Sequence, residues 1–140
     1  MGRVINPNSA GKQRTQLIHI TAIATRELLT KTNLDLEVRD LAAFISFSLG
    51  AIYSSIEPTV SAWEKRGYWV KADRFRSEWS WADSLGKSMA QAICSGDWEE
   101  VQNIAGKVRT KLAKEKISNT HRYGMPWVGA WDKLRDEKNF

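Results

Sequence analysis

Between Leu41 and Ile56 the chain runs for sixteen residues without a charged side chain, and this segment limits what the rest can become. As a helix it would extend roughly 24 Å at about 1.5 Å per residue, short of the roughly 30 Å hydrocarbon core of a bilayer. It carries Ser46, Ser48, Gly50, Ser54 and Ser55, and Asp40 and Glu57 bound it on either side. Leu41, Phe44, Ile45, Phe47, Leu49, Ile52, Tyr53 and Ile56 cover most of the circumference, as in a helix enclosed by others. The sequence therefore predicts a buried central helix and no membrane insertion, and other segments must cover it.

A chain of 140 residues is long enough for one domain that buries roughly two-thirds of its unfolded surface. Hydrophobic residues at 42% and charged residues at 26% exclude a disordered or fibrous chain. Cys94 is the only cysteine, which excludes an intrachain disulfide and any multi-cysteine zinc site and points to a reducing, cytoplasmic setting. Residues 1–14 are polar and basic, with no apolar stretch suited to a signal peptide.

Covering helices are legible in the spacing. Leu17, Ile20, Ala24 and Leu28 share one face of a first helix, from about Thr15 to Lys31. Asp35 is placed to cap the second, central helix, which runs to Ile56 and kinks or restarts at Pro58 before continuing to Arg66. Trp69, Ala72, Phe75, Trp79, Ala82, Leu85, Met89 and Ile93 form one stripe of a third helix, Tyr68 to Cys94, and the stripe assigns all eight to the core. Asp97 and Glu100 resemble a capping box opening a fourth helix with Val101, Ile104, Ala105, Val108 and Leu112 inward. Pro126 suits a first helical position, so a short helix is expected over 126–136 with Trp127, Trp131 and Leu134 on one stripe. The expected architecture is all-α: an antiparallel bundle of four principal helices, with a kinked central helix and a short C-terminal helix. A basic arm (1–14), the bundle (15–116) and a Trp-containing tail (117–140) make up the chain.

Catalytic constellations are hard to find. His19 and His121 are far apart in sequence and belong to no metal-ligand motif, and they fit a boundary position and a polar loop. Asn8-Ser9-Ala10-Gly11-Lys12 is similar to the end of a phosphate-binding loop, but the first glycine and the Mg²⁺-binding hydroxyl are missing. Cys94 has no base beside it and reads as a buried thiol. Glu64, Asp73, Glu78 and Asp83 share one Trp-rich stretch, yet Arg74 with Glu78 and Asp83 with Lys87 are i,i+4 pairs of a solvated face. No catalytic residue, cofactor or metal ligand is assigned.

Charge distribution says more. The net charge of +5 resolves into +4 over residues 1–33 and −3 over 34–60, so it is polarised toward the N-terminus. Lys107, Lys111 and Lys114 are spaced by 4 and 3 on the fourth helix, clear of its apolar line. With Arg3, Lys12, Arg14 and the cluster Lys65, Arg66, Lys71, Arg74 and Arg76, they are suited to non-specific phosphate contacts. Arg66-Gly67-Tyr68-Trp69 would also suit single-strand stacking, although the stripe assigns Trp69 to the core.

The segment Val60–Leu85, VSAWEKRGYWVKADRFRSEWSWADSL, and the tail motif GMPWVGAW resemble short uncharacterised bacterial proteins of the Chloroflexota. The resemblance implies no activity, cofactor or active residue. By size, helicity and basicity the chain is also similar to the small helical subunits of CRISPR effector complexes, a likeness of class that no motif carries.

The expectation is a non-catalytic accessory protein that contacts nucleic acid non-specifically through Lys12, Arg14, Lys107, Lys111 and Lys114, with Arg74 and Arg76 secondary. An alternative is a protein-interaction or homo-oligomeric module that uses Trp127, Trp131 and Leu134, or exposed Trp81 and Trp98.

Overall fold

The computed structural model describes residues 7–116 and 123–140, with side chains from Gly11 onward. Arg3 and His121 lie outside the described residues. Among those described the structure is helical without strands: α1 (Pro7–Thr30), α2 (Leu36–Ser54), α3 (Glu57–Lys65), α4 (Trp69–Cys94), α5 (Trp98–Lys111) and α6 (Ala130–Lys138).

α2 is the hub, with α1, α4 and α6 all packed on it. Leu41, Ala42, Ala43, Ile45, Leu49 and Ile52 are fully buried. The stretch Leu36–Lys65 is long and apolar enough to cross a membrane by length and composition; in the fold most apolar side chains of its α2 portion are covered by neighbouring helices, with Leu36 at its start exposed. α5 packs on α1 and α4, and α3 packs on α4 around a smaller cluster of Ile56, Val60 and Ala72.

Local chemistry accounts for most boundaries. The Val38 N–H donates to Asp35 Oδ1 at 3.0 Å and the Glu100 N–H to Asp97 Oδ1 at 3.1 Å, so both expected aspartate caps form. The chain breaks between α2 and α3 at Ser55–Ile56, because Pro58 has no N–H for Ser54 and its ring crowds that carbonyl. α3 closes on Gly67, whose φ of +81° lets its own N–H reach the Glu64 carbonyl (3.0 Å) and the Tyr68 N–H reach that of Trp63 (2.8 Å).

Two boundaries differ from expectation. α1 begins at Pro7, not near Thr15; proline suits a first helical turn, and Ala10, Lys12, Gln13 and Arg14 are good helix formers even without an apolar period. The basic arm is therefore helical from Pro7 onward. In the tail, Gly129 at φ +88° separates a turn over 125–129 from α6, so the helix starts four residues after Pro126.

α2 and α4 approach closely at Gly86, where a Cβ would stand 3.2 Å from both Leu49 Cβ and the Ser46 carbonyl. The Ser46 hydroxyl donates to the Gly86 carbonyl there at 2.8 Å. A buried Thr21 to Ser48 hydroxyl bond of 2.9 Å similarly joins α1 to α2.

Candidate nucleic-acid interface

α5 has two sharply different faces. Val101, Ile104, Ala105 and Val108 are buried against α1 and α4. Lys107, Arg109 and Lys111 are exposed, and Lys114 and Lys116 follow the helix end, exposed as well. The helix is acidic in its first turn (Glu99, Glu100) and basic in its last (Arg109, Lys111), a charge order the helix dipole favours. Residues 107–116 nonetheless hold five bases and one acid, a net +4 in ten residues. The acid, Glu115, lies 3.1 Å from His19 Nε2 of α1. Among the described residues, no carboxylate lies within ion-pair distance of Lys107, Arg109, Lys111, Lys114 or Lys116.

The other expected phosphate contacts divide into two groups. Lys12 and Arg74 are exposed and make no ion pair with the described residues; the expected Arg74–Glu78 pair does not form. Arg14 and Arg76 are instead engaged within the fold. Arg14 is half-buried, donates to the Ser55 carbonyl at 3.3 Å and lies 5.2 Å over the Phe75 ring, tying α1 to the α2–α3 break and to α4. Arg76 donates to both Glu64 carboxylate oxygens (2.7 and 3.4 Å) and to Asp73 (3.4 Å), bracing α3 on α4. The Glu64 hydrogen bond, more than any other contact, raises the Arg76 guanidinium above its ordinary value. Both arginines thus make contacts within the fold that Lys12 and Arg74 do not.

The tail residues are likewise engaged within the chain. Trp127 is 4% and Leu134 1% exposed. Trp131 packs against Trp98 of α5 (6.0 Å between ring centroids) and edge-on against Phe140 (5.3 Å), with Arg39 of α2 5.4 Å from its ring. Its backbone N–H donates to Asp40 of α2 at 2.9 Å. The stripe is largely covered by its own domain, since two tryptophans are costly to leave in water. Trp81 and Trp98, expected to be exposed, are half-buried against Trp79 and Trp131.

One feature of the surface escaped the periodicity. Trp69 is 58% exposed, as are its neighbours Tyr68 (53%) and Val70 (68%). The remainder of the α4 stripe is buried or half-buried. α3 ends at Lys65 and α4 begins at Trp69; the signal available in the sequence was Gly67, which places Trp69 two residues after a reversal.

The remaining chemistry is sparse. A groove of about 590 Å³ between α2, α4 and α6 is lined by Ser46, Phe47, Asp83, Lys87, Cys94 and Glu137 among others. Its Asp83 and Lys87 neutralise one another at 3.0 Å, and His19 is not among its lining residues. Residues 8–12 lie within α1 and form no phosphate-cradling loop. No group of three metal-ligating side chains occurs among the described residues. Comparisons with protein families, curated proteins and solved structures find no match for this chain.

Proposed function

We propose that this is a non-catalytic, cytoplasmic accessory protein that binds nucleic acid non-specifically through phosphate contacts. Its helices form an antiparallel bundle of four principal elements, in which α2 and α3 act as one kinked central helix. The observation that supports the binding reading is the row Lys107, Lys111 and Lys114, exposed on or just beyond α5 without intramolecular carboxylate partners. A base already paired with a carboxylate must give up that partner to bind a phosphate, whereas an unpaired one only releases counterions from the nucleic acid. Lys12 and Arg74 supplement the row. The absence of base-reading motifs fits affinity without sequence preference.

Fluorescence polarisation with labelled oligonucleotides tests this reading. Binding is expected near 50 mM salt, weakening by orders of magnitude toward 200 mM if six or more phosphates are engaged. Lack of binding to either single-stranded or duplex oligonucleotide at low salt overturns it.

A further inference from the structure

The turn between α3 and α4 presents an uncommon surface for a small domain. Tyr68, Trp69 and Val70 are three consecutive residues, all more than half exposed. A single exposed apolar residue is ordinary, whereas two exposed aromatic residues amid cations suit a binding surface. Bases surround them: Lys65, Arg66, Lys71 and Arg74 are all exposed. Lys71 lies over the Trp63 ring at 4.5 Å, and Lys65, Arg66 and Arg74 pair with no carboxylate among the described residues. Asp73, the one acid between Lys65 and Arg76, is engaged by Arg76 at 3.4 Å.

We propose that this turn is a stacking platform for single-stranded nucleic acid, in which Tyr68 and Trp69 take unpaired bases and Lys65, Arg66 and Arg74 hold the flanking phosphates. The inference rests on the nucleic-acid reading above and narrows it to a preferred substrate class. Every base has a flat apolar face, and an aromatic ring beside cations meets a base and its phosphate together. A duplex buries those faces in its own stack and leaves the rings without a partner. The φ of Gly67 and the Tyr68 N–H to Trp63 carbonyl bond set the backbone path from which the two side chains emerge.

The test is polarisation of the full chain with a labelled oligo-dT and with a duplex of equal length, alongside flotation with vesicles containing anionic phosphatidylserine. Trp69→Ala and Tyr68→Ala should each lower oligo-dT affinity roughly five- to a hundredfold and leave duplex affinity unchanged. Trp69→Phe should retain most of the affinity. Trp69→Leu, which keeps apolar area without a flat face, should bind as poorly as Trp69→Ala and guards against an unfolding artefact. Unchanged oligo-dT affinity in the alanine variants, with weaker binding in a Lys107/Lys111/Lys114→Gln variant, overturns the platform and leaves the basic-surface reading standing. No binding to any oligonucleotide removes both. Vesicle binding that depends on Trp69 while oligo-dT binding does not assigns the turn to lipid and overturns the proposal.

Discussion

Asp40 is 6% exposed, and its carboxylate accepts the backbone N–H of Trp131 at 2.9 Å. The first N–H groups of a helix have no partner within it, and the glycine that precedes α6 brings no capping side chain. A carboxylate from α2 takes that place, where the positive end of the helix dipole favours it. The tail is thus held by a polar contact as well as by Trp127 and Leu134. Asp40→Ala should cost about 1–3 kcal/mol, read as a lower urea midpoint with faster hydrogen exchange at the Trp131 amide. Asp40→Asn, which keeps an acceptor oxygen, should lose less; equal loss in both variants would show that the negative charge, not the acceptor, holds the tail. By contrast, the Arg76–Glu64 pair is about one-third and one-quarter exposed, so Arg76→Met should cost only the small loss typical of a solvent-screened pair. A chemical-denaturation loss well above that would mean the pair holds α3 in place.

At the scale of elements, the α2–α4 contact depends on the missing side chain at Gly86. Gly86→Val should destabilise by about 1–3 kcal/mol, because the added methyls meet Leu49 and the Ser46 backbone; thermal unfolding with an unchanged or higher midpoint would contradict that packing. Which segments are helical was legible in advance, since a 3, 3, 4 spacing of apolar residues admits no strand. Asp35 and Asp97 marked two starts, and Pro58 marked the central break. What escaped depends on which element lies opposite. The spacing that placed Trp69 in line with Ala72 and Phe75 carries no information on where α3 ends. The stripe Trp127, Trp131 and Leu134 runs across Gly129, so the spacing could not show that this glycine, and not Pro126, sets the start of α6. The tail stripe announced that it would be covered, but only the fold shows α2 and α5 as its cover. Similarly, Arg14 and Arg76 are indistinguishable in sequence from Lys12 and Arg74; their engagement follows from Ser55, Phe75 and Glu64 being brought beside them.

For the molecule as a whole, the fold leaves part of a modest net charge without internal partners. Most of the apolar side chains go to a single hub around α2, and the tail stripe is enclosed within the same domain. Among the described residues the exposed large apolar side chains are Leu34, Leu36, Met125, Val128 and the trio Tyr68, Trp69 and Val70, and of these only the trio is flanked on both sides by exposed bases. The basic end of α5 and the start of α4 are the two surfaces the binding account uses. The +5 of the chain matters less than the subset of bases without internal partners, which long-range attraction and counterion release can use. The most direct measurement is the salt dependence of oligonucleotide affinity for the native chain and for Lys107/Lys111/Lys114→Gln. With about 0.7 to 0.9 counterions released per phosphate contact, the slope of log affinity against log salt should be shallower by roughly 2 to 3 in the variant, with helicity and thermal midpoint unchanged. Equal slopes for the two proteins would contradict the assignment of nucleic-acid binding to this end of α5.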